Sequence, residues 1–376
     1  MKKPIKVLYI SPVAERGGAE RVLYNLVKFH NRDVCEPHVF FLKDGPFVDE
    51  IRKLNIPVYI YEAGRLRHFK KSLMAVYRIA RIIKREDIGI VHGNSSMGHI
   101  YGGIAALITR RRCIWFQHTC PKLTFIDQLA TLIPSDAIIA NSHYTASLQE
   151  AIFPYRKNIV IIYPGIDMAE FNHITARGRA VRDKLGIKQS ERVVGIAGRI
   201  QRWKGFTFFI DAAYRVKKIM PDVKFLIVGD EMFGRDGGYK NELVNFAKNI
   251  GIADSIIFTG FQKNTYDYID AMDILVHASI YPEAFGLVIC EGMALRKTVI
   301  ATNAGGPQEI ITDPEIGYLY SPGNSFKLAE LIVSFLNDPD RMKRMGINAE
   351  EYVRKNFSAD IMTQRIEKLY GEIRGN

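Results

Sequence analysis

Short runs of apolar, largely β-branched residues alternate along the chain with segments whose apolar positions recur at steps of three and four. That alternation predicts parallel sheets buried on both faces, with helices between successive strands. In the first half the predicted strands are 6–11, 38–42, 58–61, 88–92, 113–118, 137–141 and 159–163; in the second they are 193–197, 225–229, 256–259, 274–277, 298–301 and 317–320. Helical periodicity marks 20–29, 203–220, 239–251 and 326–337. Between the two series lie Pro164, Gly165, Ile166 and Asp167, then a polar stretch through Arg182 with little periodicity, which reads as a linker. The fold class expected is therefore α/β, with two doubly wound, Rossmann-like parallel-sheet domains: one at 1–168, a second at 169–358, and a helix at 359–376 packing back on the first.

Length supports two cores, because 376 residues exceed twice the span of one ordinary domain. With 47% hydrophobic and 24% charged residues, disorder is excluded as the main state. No apolar run approaches the ~18 residues of a membrane span, and the start leads into a strand pattern rather than a signal-peptide core, so a cytoplasmic protein is expected. Cys35, Cys113, Cys120 and Cys290 have neither disulfide nor metal-ligand spacing, and idle thiols are expected.

Charge changes the picture. Of the net +12, residues 1–168 carry +10, with 24 Lys and Arg against 14 Asp and Glu. Such asymmetry suggests that the first half meets something anionic. Its densest part, 64–85, holds eight basic residues and no acid, and Leu66, Phe69, Leu73, Val76 or Tyr77, Ala80 and Ile83 repeat as one helical stripe opposite Arg67, Lys71, Arg78 and Arg85. One reading is a helix packed on a sheet with a solvated basic face; the other is a surface for anionic lipid, to which Arg110, Arg111 and Arg112 would add. No recognition helix or zinc-finger spacing accompanies the charge, so nucleic acid is not expected as a partner.

Function is expected in loops that follow strands. After the first strand, Gly17 and Gly18 open a helix, where bare backbone N–H groups meet anions, although such a pair is often only a turn. After the first strand of the second domain, Arg199 and Lys204 stand five residues apart between Gly198 and Gly205, a fork and a point charge suited to two phosphates or a basic turn in solvent. A third loop carries Glu283 and Glu291 eight residues apart around Phe285, Gly286 and Leu287; ionised carboxylates accept hydrogen bonds, which suits vicinal hydroxyls of a sugar or ribose. A fourth has Gly305 and Gly306 before a helix. His118, at a strand end, completes the set, although a lone histidine is more often a satisfied core residue.

Taken together, these motifs resemble the retaining family-4 glycosyltransferases of the GT-B fold over essentially the whole chain. The Glu283 to Glu291 spacing matches that family's paired-glutamate signature, and Gly17-Gly18-Ala19-Glu20, Gly198-Arg199, Lys204-Gly205, Val228-Gly229-Asp230, Pro164-Gly165-Ile166-Asp167 and Gly305-Gly306 fall where the family has motifs. Tyr163 replaces its usual Asn before Pro164-Gly165. The resemblance implies a first domain that receives the acceptor and a second that holds a nucleotide-diphosphate sugar, UDP- or GDP-linked, as donor, with no bound cofactor and no metal. It implies that Arg199 and Lys204 bind the diphosphate, Glu291 the ribose, and Glu283 with Phe285, Gly286 and Leu287 the donor sugar. Gly17 and Gly18 would close on the phosphates, and His118 would lie beside the sugar. The expected activity is retaining transfer to an acceptor, lipid-linked on the basic surface argument, in polysaccharide or glycolipid assembly, from the cytoplasm or the inner membrane face. Transfer to a small soluble anionic acceptor, a two-domain epimerase, and a non-catalytic binder of nucleotide sugars or anionic polymers are the alternatives.

Overall fold

In the computed structural model, which describes residues 3–64, 66–171, 175–231 and 237–375, the apolar runs form two wholly parallel sheets, as runs buried on both faces require. The first contains β1 (Ile5–Ser11), β2 (Cys35–Phe41), β3 (Val58–Ile60), β4 (Ile90–Asn94), β5 (Arg112–Gln117), β6 (Ala137–Ala140) and β7 (Ile159–Ile161), in the order β3-β2-β1-β4-β5-β6-β7. The second contains β8 (Val193–Ala197), β9 (Lys224–Val228), β10 (Ile256–Phe258), β11 (Ile274–His277), β12 (Thr298–Thr302) and β13 (Tyr318–Tyr320), in the order β10-β9-β8-β11-β12-β13. Each order reverses once, at β1/β4 and at β8/β11. There the connections depart in opposite directions and leave room for a ligand beyond the carboxyl ends of the strands.

Contacts divide the chain into one unit of Met1–Asp167 with Phe357–Asn376 and another of Met168–Asn356. The first is built around Trp115, Tyr9, Phe40 and Phe116, the second around Phe206, Phe209, Phe225 and Phe335, all essentially fully buried. The returning chain is tied to the first unit by backbone. Ile166 donates to the Phe357 carbonyl at 2.9 Å and Ala359 to that of Ile166 at 2.8 Å. The following helix, Ala359–Gly375, then sends the Tyr370 hydroxyl into the first core, 2.7 Å from that of Tyr9 and 2.6 Å from His92 Nδ1.

Two expectations are corrected. The polar stretch after Asp167 is not simply linker: a 3-10 turn, Met168–Phe171, and a helix, Thr175–Lys184, form within it, residues 172–174 lying outside the described residues. With few apolar residues this helix is fastened instead by Arg182, which donates to the carbonyls of Ala271 at 2.8 Å and Glu191 at 2.9 Å and to Asp273 at 3.0 Å. The basic helix, Phe69–Arg85, is rotated from its expected phase. It buries Ala75, Val76, Ile79, Ile82 and Ile83, while Phe69, Leu73 and Tyr77 face solvent.

Candidate active site

The second unit gathers its polar groups where β8 and β11 part. After β8 the chain passes Gly198 and the exposed Arg199 into a 3-10 turn, Arg202–Lys204, which ends at Gly205 with φ of +76°. A Cβ at Gly205 would lie 1.8 Å from the carbonyl oxygen of Ala278, the residue after β11, so only glycine lets the two loops meet. The Ile280 amide, donating to the Trp203 carbonyl at 2.8 Å, locks the contact. Lys204 is thereby turned toward the β11 loop, its Nζ 4.3 Å from the centre of the Trp203 ring.

Lys204 pairs with Glu283, a residue 79 positions on: Nζ sits on Oε1, while His277 Nε2 donates to Oε2 and Ser279 Oγ adds a bond to Oε2 at 3.3 Å. Thr302 Oγ1 faces the other His277 nitrogen, Nδ1, at 3.3 Å. Side-chain exposure is 18% for Lys204, 14% for Glu283 and 3% for His277. Burial alone would raise the Glu283 carboxyl, but Lys204 and His277 outweigh it and hold the group well below the usual carboxylate range. The result is a carboxylate ionised near neutral pH, with donors on both oxygens.

Backbone supports that carboxylate from below. The Glu283 amide donates to the Ala304 carbonyl at 3.3 Å, and the Gly306 amide to the Glu283 carbonyl at 2.8 Å. A Cβ at Gly306 would lie 2.4 Å from Phe285 Cα. The fourth glycine loop therefore serves close loop packing, and the helix after it, Pro307–Ile310, is a single turn. Phe285 is buried, which leaves only its backbone for any ligand. Gly286, at φ of +109°, turns the chain into the helix Leu287–Ala294, whose second turn carries the half-buried Glu291. Arg199 makes no ion pair or hydrogen bond among the described residues. Of the expected site residues in this unit, Lys204 and Glu283 are thus in direct contact.

In the first unit, Gly17 caps the helix Gly18–Phe29 after β1, and a side chain at 17 would meet Glu20 Oε2 at 2.5 Å. The room at this helix end is thus partly taken by the chain's own carboxylate. His118, just past β5, holds its Nε2 2.6 Å from Asn94 Oδ1 at the end of β4, and its carbonyl accepts from Asn141 Nδ2 at 3.1 Å. Burial pushes the imidazole down to about 3, so the ring is neutral near pH 7 with Nε2 as donor.

His277, Ser279 and Thr302 were not singled out in the sequence. His277 closes a strand just as His118 does, and the same strand-end reasoning applies to it. Among the described residues no group of three His, Cys, Asp or Glu is placed to hold a metal ion, and no helix is long and apolar enough to cross a membrane.

Known proteins share this fold. Residues 16–170 match the family described as Glycosyltransferase Family 4, and residues 179–352 the one described as Glycosyl transferases group 1. The chain is 28% identical over 237 residues to the lipopolysaccharide core biosynthesis mannosyltransferase LpsB of Rhizobium meliloti (strain 1021), a match spanning 62% of this chain and 65% of that protein, just under two thirds of its length. It is 26% identical over 312 residues to the N-acetyl-alpha-D-glucosaminyl L-malate synthase of Bacillus anthracis, spanning 80% of this chain and 79% of that one. Anabaena HepE, solved in complex with UDP and with UDP-glucose, superposes with a TM-score of 0.86 in both, at 26% and 25% identity, over 98% of this chain and 100% of HepE. One family segment on each sheet, two reversed parallel sheets and a paired-glutamate loop lead to one conclusion: the chain belongs to the family-4 glycosyltransferases of the GT-B fold.

Proposed function

We propose that the protein transfers a sugar, with retention of anomeric configuration, from a UDP- or GDP-linked donor to a lipid-linked acceptor in cell-surface polysaccharide or glycolipid assembly, working at the cytoplasmic membrane face. The observation that carries this reading is the Glu283 carboxylate fixed by Lys204 and His277 at the sheet reversal, on a fold shared with a protein solved with UDP-glucose. In the reaction the bond between the anomeric carbon and the diphosphate oxygen breaks, and its electron pair stays on the diphosphate. The acceptor hydroxyl bonds to that carbon from the same face, and its proton passes to the departing diphosphate oxygen. Lys204 and Arg199 are assigned to the growing negative charge, where preorganised cations lower the barrier most. Glu291 is assigned to the ribose, and Glu283, with the backbone of Phe285, Gly286 and Leu287, to the donor sugar.

Glu283 is cast as a holder of sugar hydroxyls rather than a nucleophile. A carboxylate with donors on both oxygens and a strongly lowered pKa is a poor electron-pair donor. The acceptor is assigned to the first unit, where neutral His118, its Nε2 proton committed to Asn94, can accept a hydrogen bond at Nδ1 without carrying charge. The likeness to the N-acetyl-alpha-D-glucosaminyl L-malate synthase favours a second reading, transfer to a small soluble anion. Thermal shift with UDP- and GDP-sugars, followed by transfer assays on lipid-linked and water-soluble acceptors, tests both. Stabilisation by no nucleotide sugar would refute the enzymatic reading, and turnover of a soluble acceptor without lipid would favour the second.

A further inference from the structure

The phase of helix Phe69–Arg85 leaves an arrangement that ordinary packing does not require. Its buried side is fully served by Ala75, Val76, Ile79, Ile82 and Ile83. Its outward side nevertheless carries Leu73 at 53%, Met74 at 44% and Tyr77 at 61% exposure, with Phe69 at 69% at the helix start. At 100° per residue, Lys70, Met74, Tyr77, Arg81 and Lys84 fall within about 40° of one outward line, and Leu73 lies beside it. Lys70, Lys71, Arg81 and Lys84 are exposed and make no ion pair among the described residues. By contrast Arg78 lies 4.5 Å over the Tyr61 ring, Arg85 bonds Glu86 at 2.7 Å, and Arg111 and Arg112 are matched to Asp87 and Asp136. The next helix, Ser95–Thr109, packs along this one and exposes Leu107 and Ile108 before Arg110, which makes no ion pair among the described residues.

We infer that this face is a docking surface for an anionic lipid membrane, the helix lying flat with Leu73, Met74 and Tyr77 at the acyl boundary and its unpaired cations among the headgroups. The chemistry of this face selects that occupant. Unpaired cations with no acid between them call for a polyanion, and the first half of the chain carries +10 of the net +12. Exposed aliphatic and aromatic side chains at the centre of that cationic face have no use against a phosphate backbone alone, but they gain by entering the interface of a bilayer. A surface of this kind deepens the lipid-linked reading above, because it would bring the first unit to the acceptor. It can nevertheless fail or stand independently of sugar transfer.

Flotation of the full chain with phosphatidylglycerol–phosphatidylcholine vesicles, and with phosphatidylcholine alone, at low and high salt, tests it. Binding is expected only to the anionic vesicles and weakens with salt. Reversal of Lys70, Lys71, Arg81 and Lys84 to Glu should lower vesicle affinity by at least about a hundredfold, since each cation near an anionic surface contributes about fivefold. The variant Leu73→Ser/Met74→Ser/Tyr77→Ser should lower it about tenfold or more while leaving salt sensitivity in place. Reversal of Lys343 and Arg344, exposed on the second unit, should change nothing. All these positions are exposed or half-exposed, and an unchanged melting temperature and far-UV circular dichroism spectrum verify each fold. Equal binding to neutral vesicles, or wild-type vesicle binding by both helix variants, overturns the inference. Duplex DNA binding at least as tight as vesicle binding, and indifferent to the serine changes, overturns it in favour of nucleic acid. Wild-type vesicle binding by the variants alongside intact transfer sinks the docking surface alone, whereas lost vesicle binding in a protein that transfers from no donor sinks the enzymatic reading alone.

Discussion

Replacing Lys204 with Met keeps the length of the side chain and removes its charge, leaving Glu283 buried with His277 and Ser279 as its remaining donors. Breaking a buried ion pair costs about 3–5 kcal/mol when one charge is left with no partner. Here both side chains retain some solvent access and His277 stays, so a loss of about 2–3 kcal/mol is expected in urea unfolding at pH 7. Glu283→Gln should cost a similar amount, and the double variant should fall short of the sum by about 1–2 kcal/mol, as residues in direct contact do. The sign with pH follows from the lowered carboxyl. The unfolded chain takes up this proton near 4.5 and the folded one only well below it, so the stabilisation is complete above 4.5 and fades as pH falls through the folded value. The gap between wild type and Lys204→Met should therefore narrow in acid. In turnover, the same variant should lower kcat about 10²- to 10³-fold, the usual loss for one preorganised donor. Additive single and double variants, or a gap unchanged between pH 7 and pH 3, would refute the coupling.

Other outcomes test the surrounding framework. Arg199→Ala should leave unfolding within about 0.5 kcal/mol of wild type, because the guanidinium is exposed and unpaired, yet reduce the thermal shift given by a nucleotide sugar; an equal shift would remove Arg199 from the donor site. His277→Ala should lower kcat about tenfold with less effect on KM, and His277→Gln, which restores an N–H toward Glu283, should recover part of it, a rescue that a filler of space would not show. Gly205→Ala should cost several kcal/mol, whereas Gly186→Ala, at a similar φ of +68° with nothing within 4 Å of its Cβ, should cost only the left-handed penalty of about 1 kcal/mol; equal melting temperatures would deny the loop contact at Ala278. His99, buried and stacked on Trp115, is pushed down by burial to about 4, so stability should fall with pH between 6.5 and about 4, by up to roughly 1.4 kcal/mol per unit, and His99→Phe should flatten that slope in urea titrations.

What could be read from the sequence follows from the length scale of each cause. Strands buried on both faces announce themselves over five or six residues, and both sheets were legible within a residue or two at most ends. The phase of helix Phe69–Arg85 was not, because the segment has more apolar residues than one face can bury, and only the tertiary fit decides that Ile79 goes inward and Tyr77 outward. Helix Thr175–Lys184 escaped for the opposite reason: its anchor is one arginine bonded to Ala271, Asp273 and Glu191, which no hydrophobic period reveals.

The site divides along the same line. Glu283 and Lys204 were visible as unusual chemistry after strands, each in its own loop. Their contact spans 79 positions and exists because Gly205 permits one backbone to touch another at Ala278, so it belongs to the fold and not to either motif. Gly305 and Gly306 show the converse. A glycine pair before a helix has the same appearance whether it admits a phosphate or another loop, and only the Gly306 amide on the Glu283 carbonyl, with Phe285 Cα where a side chain would sit, distinguishes the two. Glycine motifs in this fold thus report close approach of backbone, and the partner must be found among the charged side chains that the approach brings together. In the second unit those are Lys204, His277 and Glu283, and if Lys204 serves the departing diphosphate as proposed, a nucleotide sugar must first compete with Glu283 for it.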